Sequence, residues 1–362
     1  MGNRRSFLKA SGILLAASAL PLSSFMIPQR KTKLGVALVG LGYYSTDILA
    51  PALQLTKYCE LRGIVTGSPE KIPVWQKKYN IPDANVYNYE NMHTIANNDD
   101  IDIVYIVLPN ALHKPYSIIG AKAGKHVWCE KPMAMNVSEC EAIIQACNKN
   151  KVQLTIGYRL QHEPVTQTII KWSQTKPYGP INSLFAEAGF YNSARNHKHW
   201  KLHKTLGGGA MYDMGVYPLN AVRYATGLEP ISVSATHEYT RPNIFTADEI
   251  THFNLEFPNG ITAQCKTSFA ENINTMKVDC ANGWYKAEPL QYYSGVSVQG
   301  SDGQKVSPFQ GNQQAKQMDE DALAIIKNMA PIVPGEEGLK DINVVEAIYK
   351  SAANNGKKIM IT

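Results

Sequence analysis

The stretch Leu34-Gly35-Val36-Ala37-Leu38-Val39 runs almost unbroken in apolar residues into Gly40-Leu41-Gly42-Tyr43-Tyr44-Ser45, and Ile48, Leu49, Ala52 and Leu53 follow at helical spacing. A run that never alternates with polar residues reads as a strand buried on both faces, the environment of a parallel sheet. Glycines at its end permit a sharp turn into the helix. Gly40 suits the turn itself, and Gly42 lets a pyrophosphate approach the backbone. Ser45 stands where a third glycine would allow the tightest helix–strand packing, so slightly looser packing is expected there. The helix start offers unpaired N–H groups and partial positive charge to an anion. Gly40, Gly42 and Tyr43 are therefore candidate contacts for a bound dinucleotide.

The same alternation repeats. Strands are expected at Glu60 to Thr66, Ile101 to Leu108, Lys125 to Cys129 and Val152 to Ile156, with helical stretches such as Pro73 to Tyr79 and Tyr116 to Ala123 between them. That pattern is a doubly wound α/β Rossmann domain over residues 33–156. The second strand ends Val65-Thr66-Gly67-Ser68, and no acidic residue stands at its tip to hold a ribose 2′-hydroxyl; Glu70 comes only in the following turn. Ser68 and Lys71 suit a 2′-phosphate instead, which favours NADP, with NAD the alternative. Residues 157–362 change character. Ile181 to Phe190, Ile231 to Tyr239, Glu249 to Phe257, Ile261 to Phe269 and Met276 to Ala281 read as alternating strands, with Pro258-Asn259-Gly260 as a hairpin turn. Thr251, Phe253, Leu255 and Phe257 give one apolar face, and Gly338 to Ala353 is an amphipathic helix. An α+β domain with an open-faced, mainly antiparallel sheet follows.

Residues 1–32 read as an address. Arg4-Arg5-Ser6-Phe7-Leu8-Lys9, a short apolar centre from Ile13 to Leu20 and a small-residue site at Ala17-Ser18-Ala19 form a twin-arginine-type export signal, which places the protein in the periplasm or otherwise outside the cytoplasm. Pro21, Ser23 and Ser24 break the run before it reaches the ~20 residues of a spanning helix, so no membrane span is expected in the mature form. The net charge of +6 is the leader's: six of the 36 basic residues precede the first acid, Asp47, leaving 30 against 30. A neutral body without a basic face argues against nucleic-acid binding. Six cysteines show no metal or disulfide spacing and are expected as free thiols, as in a protein folded in a reducing compartment before export.

More specific segments follow: Leu108-Pro109-Asn110-Ala111-Leu112-His113, then Gly124-Lys125-His126-Val127-Trp128-Cys129-Glu130-Lys131-Pro132, Gly157-Tyr158-Arg159, and Gly207-Gly208-Gly209-Ala210-Met211-Tyr212-Asp213-Met214-Gly215-Val216-Tyr217. In this order they resemble the Gfo/Idh/MocA family of sugar and polyol oxidoreductases, and within it the glucose-fructose oxidoreductase branch. The resemblance runs from about Gly35 to Lys350 and implies a carbohydrate substrate. It implies that Leu108, Asn110, His113, Glu130, Lys131 and Tyr158 surround the nicotinamide end of the cofactor. It also implies a homodimer or homotetramer assembled on the open sheet.

Asp213 and Tyr217 are four residues apart, hence on one face of a helix. Oxidising an alcohol needs a base for the hydroxyl proton while hydride leaves the carbon. A phenol in water ionises only near pH ~10, so Tyr217 needs a cation beside it. Lys131 is the candidate cation, and Asp213 would orient the lysine or the substrate hydroxyls; Lys131, Asp213 and Tyr217 are the expected catalytic set. His162, His197, His199 and His203 lack acidic partners at ligand spacing, and no metal is expected. Members of the branch return the hydride to a second sugar and trap NADP with a long amino-terminal arm. Here about a dozen residues, Leu20 to Thr32, separate the cleavage site from the first strand, which puts permanent retention in question. Competing readings are a dehydrogenase forming 3-keto sugars, an NAD-dependent glycosidase, and a non-catalytic sugar or nucleotide sensor. Arg159, Tyr191, Trp200 and Lys201 are candidates for substrate selection.

Overall fold

The computed structural model describes residues 31–361; the signal-like segment and its Ala17-Ser18-Ala19 site lie outside them. Six parallel strands form the first sheet: β1 (Leu34–Val39), β2 (Cys59–Val65), β3 (Val86–Tyr87), β4 (Ile103–Ile106), β5 (His126–Cys129) and β6 (Leu154–Ile156), in the order β3-β2-β1-β4-β5-β6. Every residue of β1 and β4 is buried, as the unbroken apolar runs require. On one face lie α1 (Ala50–Leu53) and Trp75 of α2 (Ile72–Tyr79). On the other lie α3 (His113–Lys122) and α4 (Val137–Lys149), whose Ala121, Cys140, Ile143 and Cys147 join the core. The order reverses beside β1, so the glycine turn opens at the switch between β1 and β4, the usual place for a ligand in an open α/β sheet.

The second sheet has nine strands: β7 (Ile181–Gly189), β8 (Ser232–Glu238), β9 (Ile250–Glu256), β10 (Thr262–Ser268), β11 (Ile273–Cys280), β12 (Gly283–Ala287), β13 (Val298–Gly300), β14 (Lys305–Val306) and β15 (Ile359–Met360). Their order is β14-β13-β12-β11-β7-β10-β9-β8-β15, antiparallel except where β7 runs parallel to β10. Asn259 (φ 63°) and Gly260 (φ 76°) make the turn between β9 and β10. Phe253 and Leu255 point to the helices, while His252 and Asn254 face outward. The inner face is covered by α5 (Pro164–Thr175), α6 (Val216–Thr226) and α8 (Gly335–Ala353). The outer face carries polar residues and ion pairs such as Lys277–Asp279, with Phe185 and Trp284 about one-third exposed among them. α7 (Gln313–Lys327) packs back on the first sheet through Ala315, Met318 and Ala322. All six cysteines are free, and none but Cys280 is even partly exposed.

Arg223 locks α6 to α8. Its guanidinium donates to Asp341 Oδ1 at 2.6 Å, to both oxygens of Glu229 at 2.6 and 2.8 Å, and to Glu337 at 3.1 Å, while Asn220 donates to the other Asp341 oxygen. Arg223 and Asp341 are both buried, so removing Asp341 takes from the guanidinium its fully buried partner and leaves it to Glu229 and Glu337, which are more exposed. Asp341→Ala is therefore expected to lower the unfolding free energy, read from urea unfolding, by about 3 kcal/mol. Glu229→Gln, at a half-exposed partner, should cost no more than about 1 kcal/mol. Equal losses for the two would show that burial does not set the energy of this network.

Candidate active site

Gly40 holds φ 95° and carries no Cβ because one would stand 2.4 Å from the Val107 carbonyl oxygen of the neighbouring strand end. Gly42 faces open space, with nothing within 4 Å of where a Cβ would be, and Tyr43 beside it is exposed. Ser45 adds a contact that the pattern did not announce. It is fully buried, and its hydroxyl donates to the Gly40 carbonyl at 2.6 Å, so it fastens the turn. A π-helical turn (Tyr44–Leu49) then leads into α1. Lys71 reaches across from the tip of β2 and donates to the Leu41 carbonyl at 2.7 Å; Ser68 sits half-buried at the same tip. The glycine turn and the two residues expected to read a 2′-phosphate thus share one edge.

The loop after β4 is held by its own side chains. Buried Asn110 donates to the Gly207 carbonyl at 2.6 Å, tying this loop to the glycine run. His113 is fully buried with its ring nitrogens 2.9 Å from the carbonyls of Pro132 and Leu108, and burial pushes its pKa down. Tyr158 is buried as well, near Asp341 and Tyr224; burial and the Asp341 charge push its pKa well up. Asn110 and His113 therefore shape the pocket from beneath by holding backbone, and Tyr158 turns toward the Arg223–Asp341 network.

Lys131, just past β5, meets residues from the start of α6. Its ammonium donates to the Asp213 backbone carbonyl at 2.6 Å, lies 3.9 Å from Asp213 Oδ1, and sits 4.6 Å from the centre of the Tyr217 ring. Asp213 lies in a π-helical turn (Met211–Gly215) that leads into α6, where Tyr217 follows. Lys201 closes the other side of Asp213, 2.7 Å from Oδ2. The side chains of Lys131 and Asp213 are 13% and 14% exposed, so solvent screens this pair weakly. Burial favours the neutral form of Asp213, yet the charges of Lys201 and Lys131 outweigh it and hold the carboxyl below its usual range. Lys131 likewise overcomes burial: Tyr217, Asp213 and Glu130 raise its pKa despite Arg159. It remains an ammonium at neutral pH. Glu130 goes the other way, its pKa raised by burial although Tyr105 donates to Oε1 at 2.6 Å.

The candidates for substrate selection do not all reach this cluster. Arg159 stands 5.5 Å from the Tyr217 ring centre and 4.9 Å from that of Tyr293, fixed by Gln313 at 2.6 Å, the Tyr292 carbonyl at 3.1 Å and Gln291 at 3.2 Å. Tyr44 lies 6.1 Å from Tyr293. Trp200 is beside Lys201, whereas Tyr191 pairs with Arg241 away from the cluster. The histidines do not converge: His162 meets Glu320 at 2.8 Å, His203 meets the His197 carbonyl at 2.8 Å, and His199 accepts from the Lys201 N–H at 3.3 Å.

A buried ammonium, a paired carboxylate and a phenol ring, linked through Arg159 and Tyr293 to Tyr44 of the glycine turn, can polarise a hydroxyl and move its proton. Known proteins bear on this arrangement. The family model for an oxidoreductase family with an NAD-binding Rossmann fold matches residues 34–158, and that for a GFO/IDH/MocA C-terminal domain matches residues 166–286. Aldose-aldose oxidoreductase from Caulobacter crescentus, solved with glycerol, is 38% identical, covers 91% of this chain and 99% of its own, and superposes with a TM-score of 0.86. D-xylose 1-dehydrogenase [NADP(+)] of Haloarcula marismortui is 29% identical over 334 residues, 87% of this chain and 90% of that protein. Levoglucosan dehydrogenase bound to NADH and levoglucosan, at 19% identity, 91% and 99% coverage and a TM-score of 0.78, shares the fold.

The depressed Asp213 pKa gives a signed expectation. A carboxylate held below its unfolded value of ~4 adds stability above that pH, and the gain is lost as pH falls through the folded value. Lys201→Met removes the strongest charge acting against burial. Acid unfolding, followed by circular dichroism, should then begin at higher pH in the variant than in the wild type. An unchanged acid midpoint would mean that Lys201 does not govern the ionisation of Asp213.

Proposed function

This chain belongs to the Gfo/Idh/MocA oxidoreductase family, and from that premise we propose that it oxidises a sugar hydroxyl, of an aldose or glycoside, with NADP and returns the hydride to a second carbohydrate. The observation that carries this reading is the meeting of Lys131, Asp213 and Tyr217, with Tyr217 linked through Arg159 and Tyr293 to Tyr44 of the glycine turn. The cofactor fits the residues present: Gly40 permits the turn, Gly42 leaves its space open, and Tyr43, Ser68 and Lys71 line the same edge. A nicotinamide nucleotide held there supplies a hydride acceptor for the carbinol carbon. The preference for NADP over NAD rests on Lys71 and Ser68, and it is supported by the NADP-dependence in the name of the Haloarcula relative. Return of the hydride to a second sugar is supported by the name of the Caulobacter relative, and recycling within one site would remove the need for a nucleotide supply outside the cytoplasm.

The chain's own work is on the proton. Tyr217, its own proton first released to solvent, takes the hydroxyl proton as a phenolate, and the Lys131 ammonium 4.6 Å from the ring centre favours that ionised form. Lys131 is itself no base, because its neighbours keep it protonated. Asp213, held ionised between two lysines, accepts hydrogen bonds from substrate hydroxyls and fixes which one faces Tyr217. In this reading residues 33–156 carry the nucleotide and residues 157–362 carry the sugar and the subunit contacts. The partly exposed Phe185 and Trp284 on the open sheet support a homodimer or homotetramer. Arg4-Arg5 and the apolar stretch after it support twin-arginine export to the periplasm.

Absorbance of the purified protein in the reduced-nicotinamide band should rise when the right sugar is added and fall again with a second sugar. A protein that binds nucleotide and never changes absorbance with any sugar would be a sensor. Tyr217→Phe should lower turnover at least about a hundredfold while NADP binding persists. Near-normal turnover would transfer the base role to another group, Lys131 being the first suspect.

A further inference from the structure

The turn that carries Asp213 is gripped from behind by a group that no motif announced. Asp248, 3% exposed, stands two residues before β9. Its Oδ2 accepts the Met211 N–H at 2.7 Å and the Thr251 hydroxyl at 3.1 Å; its Oδ1 accepts the Tyr349 hydroxyl at 2.6 Å. Its backbone carbonyl takes the Ala210 N–H at 3.0 Å, and Thr267 donates to the Ala210 carbonyl at 3.1 Å. Both sides of residue 210 are therefore tied. Gly209 makes the approach possible: with φ 114° and no side chain it admits a carboxylate oxygen to within 2.1 Å of where a Cβ would stand.

The first N–H groups of a helical segment have no partner within it, and a negative charge at that end is favourable. Asp248 supplies both needs at once, with charge-assisted bonds about twice as strong as neutral ones. The link continues to Tyr349 on α8. Tyr349 borders a cavity of about 940 Å³, shared with Tyr212, His237, Tyr239 and Lys350. Its ring packs between Tyr212 and His237, each 5.3 Å away between ring centres, and its hydroxyl is aimed at Asp248.

We propose that Asp248 is a positioning residue for sugar oxidation: through the Met211 and Ala210 N–H groups it fixes the π-helical turn, and so sets where the Asp213 carboxylate and the Tyr217 phenol stand relative to Lys131. This rests on the sugar-oxidation reading for its kinetic consequence and on geometry alone for its structural one. Misplacing reacting groups by about 1 Å costs on the order of a hundredfold in rate.

Asp248→Asn keeps the shape and removes the charge; Tyr349→Phe keeps the grip on Met211 and removes the tie to α8. In full-length protein, kcat should fall roughly ten- to hundredfold in Asp248→Asn, and by less in Tyr349→Phe, with the sugar KM rising because Asp213 also holds substrate and NADP affinity staying near wild type. The primary deuterium isotope effect on kcat/KM, from sugar labelled at the oxidised carbon, should grow as hydride transfer becomes limiting. Amide hydrogen exchange should quicken in residues 210–215 of Asp248→Asn and stay unchanged in the first sheet. A loss of kcat matched by a loss of titratable sites with an unchanged isotope effect overturns the proposal, as does exchange in the turn at the wild-type rate. If the wild type oxidises no sugar, the functional reading fails, and the exchange measurement alone decides whether Asp248 holds the turn.

Discussion

One hydrogen bond joins the two halves of the chemistry. Lys131 leaves the end of a strand in the parallel sheet, Asp213 leaves the start of a helix that lies on the other sheet, and the ammonium of the first meets the backbone carbonyl of the second at 2.6 Å. A lysine is long enough to cross between two sheet systems, and a backbone carbonyl cannot move unless its whole turn moves. Each side of the cleft is thus referenced to the other. The surrounding charges make the arrangement stable: one carboxylate between two ammonium groups, with a phenol ring under one of them. Low exposure raises the value of each attraction and the cost of losing any partner.

The pair of carboxyl groups flanking Lys131 shows how burial and partners compete. Asp213 and Glu130 both lose water, which by itself would favour their neutral forms. Asp213 has two lysines and stays ionised. Glu130 has a tyrosine hydroxyl and a backbone N–H, and its pKa rises. Any Cβ on residue 157 would stand 2.7 Å from Glu130 Oε1, so glycine there lets this carboxyl seal the space beneath the site. One buried acid thus faces the reacting groups as a charge, and its neighbour closes the floor behind them.

What could be read from the chain divides along physical lines. The glycine turn, β1, β2, β5 and the hairpin at Asn259 were legible because each depends on local pattern: an apolar run, period-two alternation, or residues that accept positive φ. The strand expected from Ile101 to Leu108 contracts to Ile103–Ile106, since its flanks remain apolar after the ladder ends. Strand β3, two residues long, has no period to detect, and the parallel pairing of β7 with β10 is a fact of topology. Lys131, Asp213 and Tyr217 were found through ordered motifs. Tyr293, Gln313 and Asp248 were not, because each reaches the site from a distant element and its neighbours in sequence carry no signature; Tyr44 lies within the glycine turn, but the pattern there speaks of backbone and says nothing of where its ring points.

The role of Ser45 shows the limit of transferring a motif by residue type alone. A glycine at this place is valued for what it lacks, and a serine there suggests a wider gap. Its hydroxyl instead returns to the Gly40 carbonyl at 2.6 Å, inside the packed interface and fully buried. Gly40 is buried, and the Ser45 hydroxyl gives its carbonyl a donor inside the packed interface. The serine therefore satisfies an acceptor where a glycine could offer nothing. The residue that departs from the pattern thus ties the helix start back to the turn, and in the nucleotide-binding reading a turn tied in this way loses less entropy when an anion arrives.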